Sequence, residues 1–473
     1  MSSTTGSGTR VQSRIPISRL IHPRSLAVIG ASNTPGKFGY GITHHLIKFK
    51  FPGALLPINA TSAEIQGVKA YPSIAEAPGP VDLALIALPA EVVPQACRDC
   101  AKAGVGAVVI ASVGFSELNE EGRLLQAQLT EIARETGMRI LGPNCMGFMT
   151  PPAALALTSS VVFDNNVLVT GPIGLISQSG GLMVSLYDRA TTAGIGFTAS
   201  ISLGNQCDLE ISDFLEFFIE DPDTKAVCIY AEEVKDRSRF LDLADRCRAA
   251  GKPLFLYKAG RTAGGAAQAM FHTASTAGSW PDFEKACRAK GVLVSDDPDD
   301  MIRAADAILR WGRPKREEVG LVSPSGGSLT VTTDRVYEKG LRLGELSEES
   351  KQRVSERLLP IYVRNPFDYG GRKGKRSSVE DSTLFANILA TDPNFGVVLV
   401  VINTTRPLPE ISRALAEELM RVGRPFVFYF SPGQAADPSR QAVKEAGCPY
   451  YDNLDSALRV LSLIVESGKQ VAS

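Results

Sequence analysis

The chain alternates short β-rich runs with longer helical patterns almost from end to end, and few folds accommodate that rhythm. Parallel strands need a crossover connection, so strand–helix–strand repetition is the mark of parallel sheets covered by helices. The first series runs Ser25-Leu-Ala-Val-Ile-Gly30, Ala54-Leu-Leu-Pro-Ile58, Leu83-Ala-Leu-Ile-Ala87, Gly106-Ala-Val-Val-Ile110 and Met138-Arg-Ile-Leu141. Each run is bounded by Gly, Pro, Asn or Ser, which punctuate turns. After the stretch 151–166, which carries no clear period, a second series follows: Ile173-Gly-Leu-Ile-Ser177, Phe197 to Leu203, Ala226-Val-Cys-Ile-Tyr230, Pro253-Leu-Phe-Leu-Tyr257 and Val292-Leu-Val294. It closes near Trp311, and the charged link Arg313 to Glu318 reads as a solvated hinge. The third series has Val319-Gly-Leu-Val-Ser323, Gly396 to Ile402, Pro425-Phe-Val-Phe-Tyr429 and a last strand near Tyr450. We therefore expect an α/β protein with a disordered tail over 1–15 and doubly wound domains over 16–150, 151–312 and 313–473. The three are one kind of unit, without a clean sequence repeat between them. A chain of 473 residues fits three domains at roughly 150 residues each.

Composition narrows the function classes. Hydrophobic residues at 44% and charged residues at 21% exclude disorder as the main state. Fifty basic side chains against 51 acidic ones leave a net charge of −1, a poor match to a nucleic-acid binder. The segment 1–14 is rich in Ser, Thr and Gly and lacks the apolar stretch of a secretory signal. No apolar run reaches the roughly 18 residues of a membrane span. Eight scattered cysteines fit reduced thiols in a cytoplasmic protein. Cys97 and Cys100 form a C-x-x-C within a helical pattern, but no second ligand pair follows and the chain has only four histidines, so no metal site is expected. The basic stretch Gly370 to Ser377 reads as a surface loop, with a phosphate or partner contact as the other reading.

Two segments carry chemistry. After the first strand comes Gly30-Ala-Ser-Asn-Thr-Pro-Gly-Lys-Phe-Gly39, a glycine turn opening a helix, which presents backbone N–H groups to an anion. It is not G-x-G-x-x-G, and the end of the second strand offers Asn59 where a nicotinamide dinucleotide site wants an acid for the ribose hydroxyls. An NAD-dependent oxidoreductase is therefore disfavoured, another phosphate-bearing nucleotide is favoured with Lys37 as a charge partner, and a purely structural turn stays open. The second segment surrounds His272, in a run of small residues after Lys258. A loop histidine is ordinarily of no chemical consequence; His22, His44 and His45 carry no signal either. For His272 two features weigh against that reading. The run Ser177-Gln-Ser-Gly-Gly181 takes a strand into a helix start suited to a phosphoryl group, and Tyr230-Ala-Glu-Glu-Val234 puts carboxylates at a strand's carboxyl end. A carboxylate on one imidazole nitrogen orients the ring and leaves the other free to attack, which describes a phosphohistidine site.

These residues resemble a known family. Ser25 to Lys37, Pro57-Ile-Asn59, Tyr71-Pro72, Val81-Asp82-Leu83 and Gly142-Pro-Asn-Cys145 are similar to the CoA-binding domain of nucleoside-diphosphate-forming acyl-CoA synthetases, which include succinyl-CoA synthetase alpha subunits and ADP-forming acetyl-CoA synthetases. Ser177 to Gly181, Gly204-Asn205, Glu210 to Leu215, Asp221 to Lys225 and the His272 loop resemble that family's second domain. Ser323-Pro-Ser-Gly-Gly327, Leu346-Ser347 and Asn365-Pro-Phe-Asp368 resemble the extra domain of the acetyl-CoA synthetase branch. The resemblance implies a Rossmann-like CoA-binding domain followed by two flavodoxin-like doubly wound domains. It implies an acid–thiol ligase in which His272 is phosphorylated and Glu232 orients it, Glu233 being the neighbour not excluded. Ser179, Gly180 and Gly181 would hold the phosphoryl oxygens. Gly30, Ser32, Lys37, Asn59, Pro89 and Asn144 would line the coenzyme A site, with Cys145 near the thiol end. The sequence departs from the family pattern at Ala274, Thr276 and Trp280. The ATP-grasp domains are expected on a separate beta subunit that brings ATP and Mg2+, in an assembly of two alpha and two beta chains acting on a small carboxylic acid. A non-catalytic CoA-binding regulatory protein of the same fold is the alternative.

Overall fold

The computed structural model describes residues 15–265, 267, 280–371, 378–403, 407–431 and 433–472. His272 and the basic stretch 372–377 lie outside the described residues. The chain forms two compact units, residues 1–292 and 293–473.

The first unit begins with a parallel sheet. Its strands are β1 (Ser25–Ile29), β2 (Ala54–Ile58), β5 (Leu83–Ile86), β6 (Ala107–Ile110) and β7 (Arg139–Leu141), ordered β2-β1-β5-β6-β7. Between β2 and β5 lies a two-stranded antiparallel hairpin, β3 (Glu64–Ile65) and β4 (Val68–Lys69). Every residue of β1, β5 and β6 is buried, as expected of strands sandwiched between helix layers. The helix Glu120–Thr136 shows how the chain sets its bounds: Asn119 caps its start by accepting from the Gly122 N–H at 2.8 Å, and Gly137 at φ +76° ends it.

A second sheet starts at β8 (Phe148–Thr150) and β9 (Leu155–Leu157), an antiparallel pair. It continues with β10 (Thr170–Ser177), β11 (Phe197–Ser202), β12 (Ala226–Ala231), β13 (Leu254–Lys258) and β14 (Val292–Val294), in the order β14-β13-β12-β10-β11-β8-β9. Within the stretch 151–166, β9 and the short helix Val162–Asn165 give order where the sequence shows no period. The helix Phe38–Lys48 packs on β9. There the His45 ring, 1% exposed, places Nδ1 at 2.7 Å from the Thr158 carbonyl oxygen and Nε2 at 2.9 Å from Asp164 Oδ1. Lys48 Nζ donates to the carbonyls of Phe163 and Asp164, both at 2.6 Å. A histidine with no sequence signal is thus the clasp between a helix of the first sheet and the edge of the second.

The second unit holds a third sheet of β15 (Val319–Ser323), β16 (Phe367–Asp368), β17 (Val397–Ile402) and β18 (Phe426–Phe430), ordered β16-β15-β17-β18. A bridge from Tyr429 to Tyr451 extends it. Its core gathers Phe367, Phe385, Phe428 and Phe430. The helices Pro298–Trp311 and Leu454–Ala472 pack together, and Arg459 Nε donates to the buried Asp300 Oδ2 at 2.6 Å.

Numbered within each sheet, the parallel strands follow one order, 2-1-3-4, with a fifth strand beyond in the first two. That is the flavodoxin-like winding, and its order reverses between the first and third strands. Ligands of such sheets sit in the crevice at that reversal, outside the strands' carboxyl ends.

Candidate active site

In the first sheet the reversal lies between β1 and β5. Gly30 follows β1 at φ +92°, where a Cβ would come within 2.5 Å of the Ala87 carbonyl oxygen, so only glycine fits the turn. A Cβ on Gly39 would stand 1.9 Å from the Gly30 carbonyl oxygen; the helix therefore starts hard against the strand end. Lys37 is exposed at the N-cap of that helix, and Pro89 is exposed beyond β5. Ser32 Oγ accepts from the Thr34 N–H at 3.0 Å, which folds the turn on itself. The half-buried Asn59 side chain braces the turn. Its Nδ2 donates to the Ala31 carbonyl at 2.9 Å, and its Oδ1 accepts from the Thr61 and Ser62 N–H groups at 3.0 and 2.9 Å. Gln66, on the β3–β4 turn, pins the same segment by donating to the carbonyls of Ser32 and Tyr40 at 3.2 and 3.0 Å.

In the second sheet the reversal lies between β10 and β12. Ser179 caps the helix Gly180–Thr192, accepting from the Leu182 N–H at 3.3 Å. The first-turn N–H groups of Gly180 and Gly181 have no intrahelical acceptor, and the helix dipole puts partial positive charge there. Glu232, 7% exposed, follows β12 and accepts from the Tyr230 hydroxyl at 3.4 Å; Glu233 is half-buried. Gln178 joins the two segments. Its Oε1 accepts from the backbone N–H of Glu232 and from that of Glu233, the latter at 2.8 Å. The serine–glycine turn and the carboxylate segment are thereby one piece. Lys258 ends β13 in register with Ala231 and donates to the Ala259 carbonyl. Burial lowers its pKa, Arg237 and Arg261 lower it further, and Glu232 and Glu233 oppose them. Burial, then the Glu232 charge, drives the Tyr230 phenol upward.

A cavity of about 210 Å³ is lined by residues that follow strands of both sheets. Its polar side is Asn144 with Gln178, Ser179, Gly180 and Gly181; its apolar side is Phe38, Ala111, Val113, Cys145 and Met146. Asn144 is held at φ +56° after the Gly142-Pro143 cis bond, and its N–H donates to the Ser112 carbonyl at 2.9 Å. Its Nδ2 donates to Asn205 Oδ1 at 3.3 Å. Burial pushes the Cys145 thiol up to about 12. Of the residues singled out from sequence, Asn144, Cys145, Ser179, Gly180 and Gly181 line this cavity, and Glu232 is tied to it through Gln178. Gly30, Ser32, Lys37 and Asn59 shape the turn leading to Phe38, while Pro89 stands past the neighbouring strand. His272 follows β13 in the chain but lies outside the described residues. Gln178 and Met146 went unassigned from sequence; the signal for Gln178 was a long amide set between two serines in a strand-to-helix turn. Among the described residues no group of three or more His, Cys, Asp or Glu is placed to hold a metal ion. Among the same residues no helix is long and apolar enough to cross a membrane.

Residues 24–151 match the CoA binding domain, and residues 170–308 match the succinyl-CoA ligase like flavodoxin domain. The chain is 34% identical over 460 residues to the acetate–CoA ligase (ADP-forming) II subunit alpha of Pyrococcus furiosus, covering 95% of this chain and 97% of that one. It is 35% identical over 462 residues to the corresponding I subunit alpha of the same organism, with the same coverage. Among solved structures, dinucleotide forming acetyl-coenzyme A synthetase 1 of Ca. Korarchaeum cryptofilum, in complex with phosphate and ADP, superposes with a TM-score of 0.86 at 29% identity, over 96% of this chain and 97% of that chain. The winding of the sheets, the glycine turn at the first reversal and the serine–glycine helix start at the second have the same explanation: the chain belongs to the alpha subunits of the ADP-forming acetate–CoA ligase family.

Proposed function

We propose that this chain is the alpha subunit of an ADP-forming acyl-CoA synthetase, active with an ATP-grasp beta subunit in an assembly of two alpha and two beta chains. Coenzyme A is its substrate at the first sheet, and ATP with Mg2+ is held by the partner. A nitrogen of His272 attacks the γ-phosphorus of ATP and ADP leaves. A carboxylate oxygen of a small acid then takes the phosphoryl group from the histidine, giving an acyl phosphate. The CoA sulfur attacks the acyl carbon, the C–O bond to phosphate breaks, and the thiol proton goes to solvent or the leaving phosphate. Glu232 orients the imidazole, and the first turn of Gly180–Thr192 receives the phosphoryl oxygens, where preorganised N–H groups stabilise developing charge. Lys37, beside the first glycine turn, balances a phosphate of coenzyme A. The cytoplasm, where CoA and ATP are abundant, is the setting this reading requires.

The observation that carries it is a cavity lined by Asn144 from the first sheet's end and by Ser179, Gly180 and Gly181 from the second's. A thioester-forming enzyme must bring an activated acyl group and a thiol together, and one shared crevice provides for that. The test is incubation with the beta subunit and γ-labelled ATP. An acid-labile label on the wild-type chain that is absent from His272→Asn is expected; a label that persists in that variant removes the assignment.

A further inference from the structure

The loop after β11 is stitched to the end of the first sheet. Gly204 stands at φ +58°, where a Cβ would come within 2.1 Å of the Pro143 carbonyl oxygen. From there the N–H groups of Asn205, Cys207 and Leu209 donate to the carbonyls of Pro143, Gly142 and Ile140 at 2.9, 2.9 and 3.1 Å. Asn205 is thereby set beside the loop that carries Asn144. Its carboxamide fits only one way round. Glu117 Oε1 accepts from the N–H groups of Gly114 and Phe115 at 2.7 and 3.1 Å, and Glu117 Oε2 accepts from Asn205 Nδ2 at 2.5 Å. Asn205 Nδ2 also donates to Gln126 Oε1 at 2.9 Å and to Ser116 Oγ at 3.3 Å. A carboxylate has no hydrogen to give, so the amide nitrogen must face Glu117 and the amide oxygen is left for Asn144, whose Nδ2 donates to it. Asn144 lines the cavity with its own donor spent, and among the described residues none donates to its Oδ1.

We propose, resting on the reaction above, that Asn205 and Glu117 are positioning residues for the thioester-forming step: they turn the Asn144 carboxamide so that its oxygen is presented to the cavity, where it takes a hydrogen donor from the thiol end of coenzyme A. Chemistry selects the ligand. An ionised carboxylic acid and a phosphoryl group bring acceptor oxygens, which suit the N–H groups of Gly180 and Gly181 and are repelled by a carbonyl oxygen. The arm of coenzyme A ends in an amide N–H and a thiol S–H, the donors among the reacting partners. The cavity thus carries donors on the side of the helix start and an acceptor on the side of Asn144. Turned the other way, the Asn144 amide would offer its NH2 group and hold a carboxylate or phosphate in the place of the thiol; orientation of the amide rejects the wrong occupant. The Asn144 backbone is already fixed by the Ser112 carbonyl, so the direction of the amide is what Asn205 decides.

The test measures kcat and the KM values for CoA and for acetate on the chain reconstituted with its beta subunit. Asn144→Gly, which suits the positive φ there, and Asn205→Ala are each expected to raise the KM for CoA by about tenfold, with the KM for acetate held within about twofold. Together they are expected to stay near tenfold, because Asn205 acts through Asn144; about a hundredfold would show independent roles and overturn the proposal. Asn205→Asp sets two carboxylates against each other and should raise the KM for CoA further. Adding Glu117→Gln to it is expected to bring that KM back to within about threefold of wild type, since the introduced amide donates to the introduced carboxylate and an oxygen still faces Asn144. Failure of that rescue, an unchanged KM for CoA in Asn205→Ala, or an equal rise in the KM for acetate would each overturn the proposal. ATP-dependent labelling, which needs no CoA, is expected to persist in every variant. Label present on the wild-type chain but lost in Asn205→Ala would give Asn205 a purely structural role and defeat this inference alone; absence of label on the wild-type chain defeats the reaction on which it rests.

Discussion

Gln178 ties two functional segments with one oxygen atom, accepting from both the Glu232 and Glu233 N–H groups. Truncation to Ala leaves two donors behind, at a position where the carboxylate segment is buried. We expect Gln178→Ala to lower unfolding free energy by about 2 kcal/mol, read from urea denaturation, and to slow ATP-dependent labelling; a loss under about 0.5 kcal/mol would show that water replaces the amide. Asp82 gives a pH signature. Burial pushes its carboxyl upward, but the Arg19 guanidinium at 2.8 Å and the Arg24 N–H at 2.7 Å together outweigh that and hold it below the usual carboxylate range. A carboxyl depressed in the folded state adds stability above its unfolded pKa, near 3.8, and loses it as pH falls toward the folded value. Stability should therefore decline below about pH 4, and Asp82→Asn should flatten that part of the profile in thermal melts. Residues of these two kinds differ in how readable they are. Gly30 announces itself because a glycine ending a buried strand before a helix has few other uses. The choice of Glu232 over Glu233 as the buried carboxylate needs the side on which the chain leaves β12, which spacing does not contain.

At the level of elements, periodicity located the long buried strands well and the short ones poorly. β1, β5, β6, β12 and β17 are apolar runs whose ends lie within a residue or two of the sequence expectation, while β10 begins three residues earlier than expected, at Thr170. The two-residue strands β3, β4 and β16 are too short to show alternation, and they form through their partners. β8 and β9 belong to the same class, since an antiparallel edge is created by pairing with β11. His45 was silent for a related reason: its partners Thr158 and Asp164 stand more than a hundred positions along the chain. One ring nitrogen faces a carbonyl and the other a carboxylate. His45→Leu keeps the bulk and removes both bonds, leaving the Thr158 carbonyl without its donor. We expect about 1–2 kcal/mol of destabilisation, the Asp164 part being small because that carboxylate is half exposed to solvent. Thermal unfolding of the variant checks this, and an unchanged midpoint would show that Lys48 alone holds the clasp.

Across the molecule, one winding is used three times, and each copy starts its first helix with a glycine-bearing turn: Gly30, Ser177–Gly181 and Ser323–Gly327. Ser325 caps its helix by accepting from the Ser328 N–H at 3.4 Å, as Ser179 does for Leu182. After the third strand of the copy, the second sheet continues to Glu232 and the third to Asn403, so a shared frame carries different chemistry. The separation of sites yields a prediction at this scale. Lys37→Glu should weaken CoA binding by about tenfold, equivalent to roughly 1.4 kcal/mol, while His272 labelling continues; equal loss of both would mean the nucleotide site is elsewhere. All eight cysteines are buried, and Cys145 borders the cavity beside Ser179 and Gly180. An acyl phosphate made beside it would be exposed to self-acylation if that sulfur ionised. Burial pushes that thiol up to about 12, which keeps it protonated at neutral pH. On the proposed reaction, chemoselectivity is built into the packing: the protein's own sulfur beside the cavity is muted in favour of the incoming one.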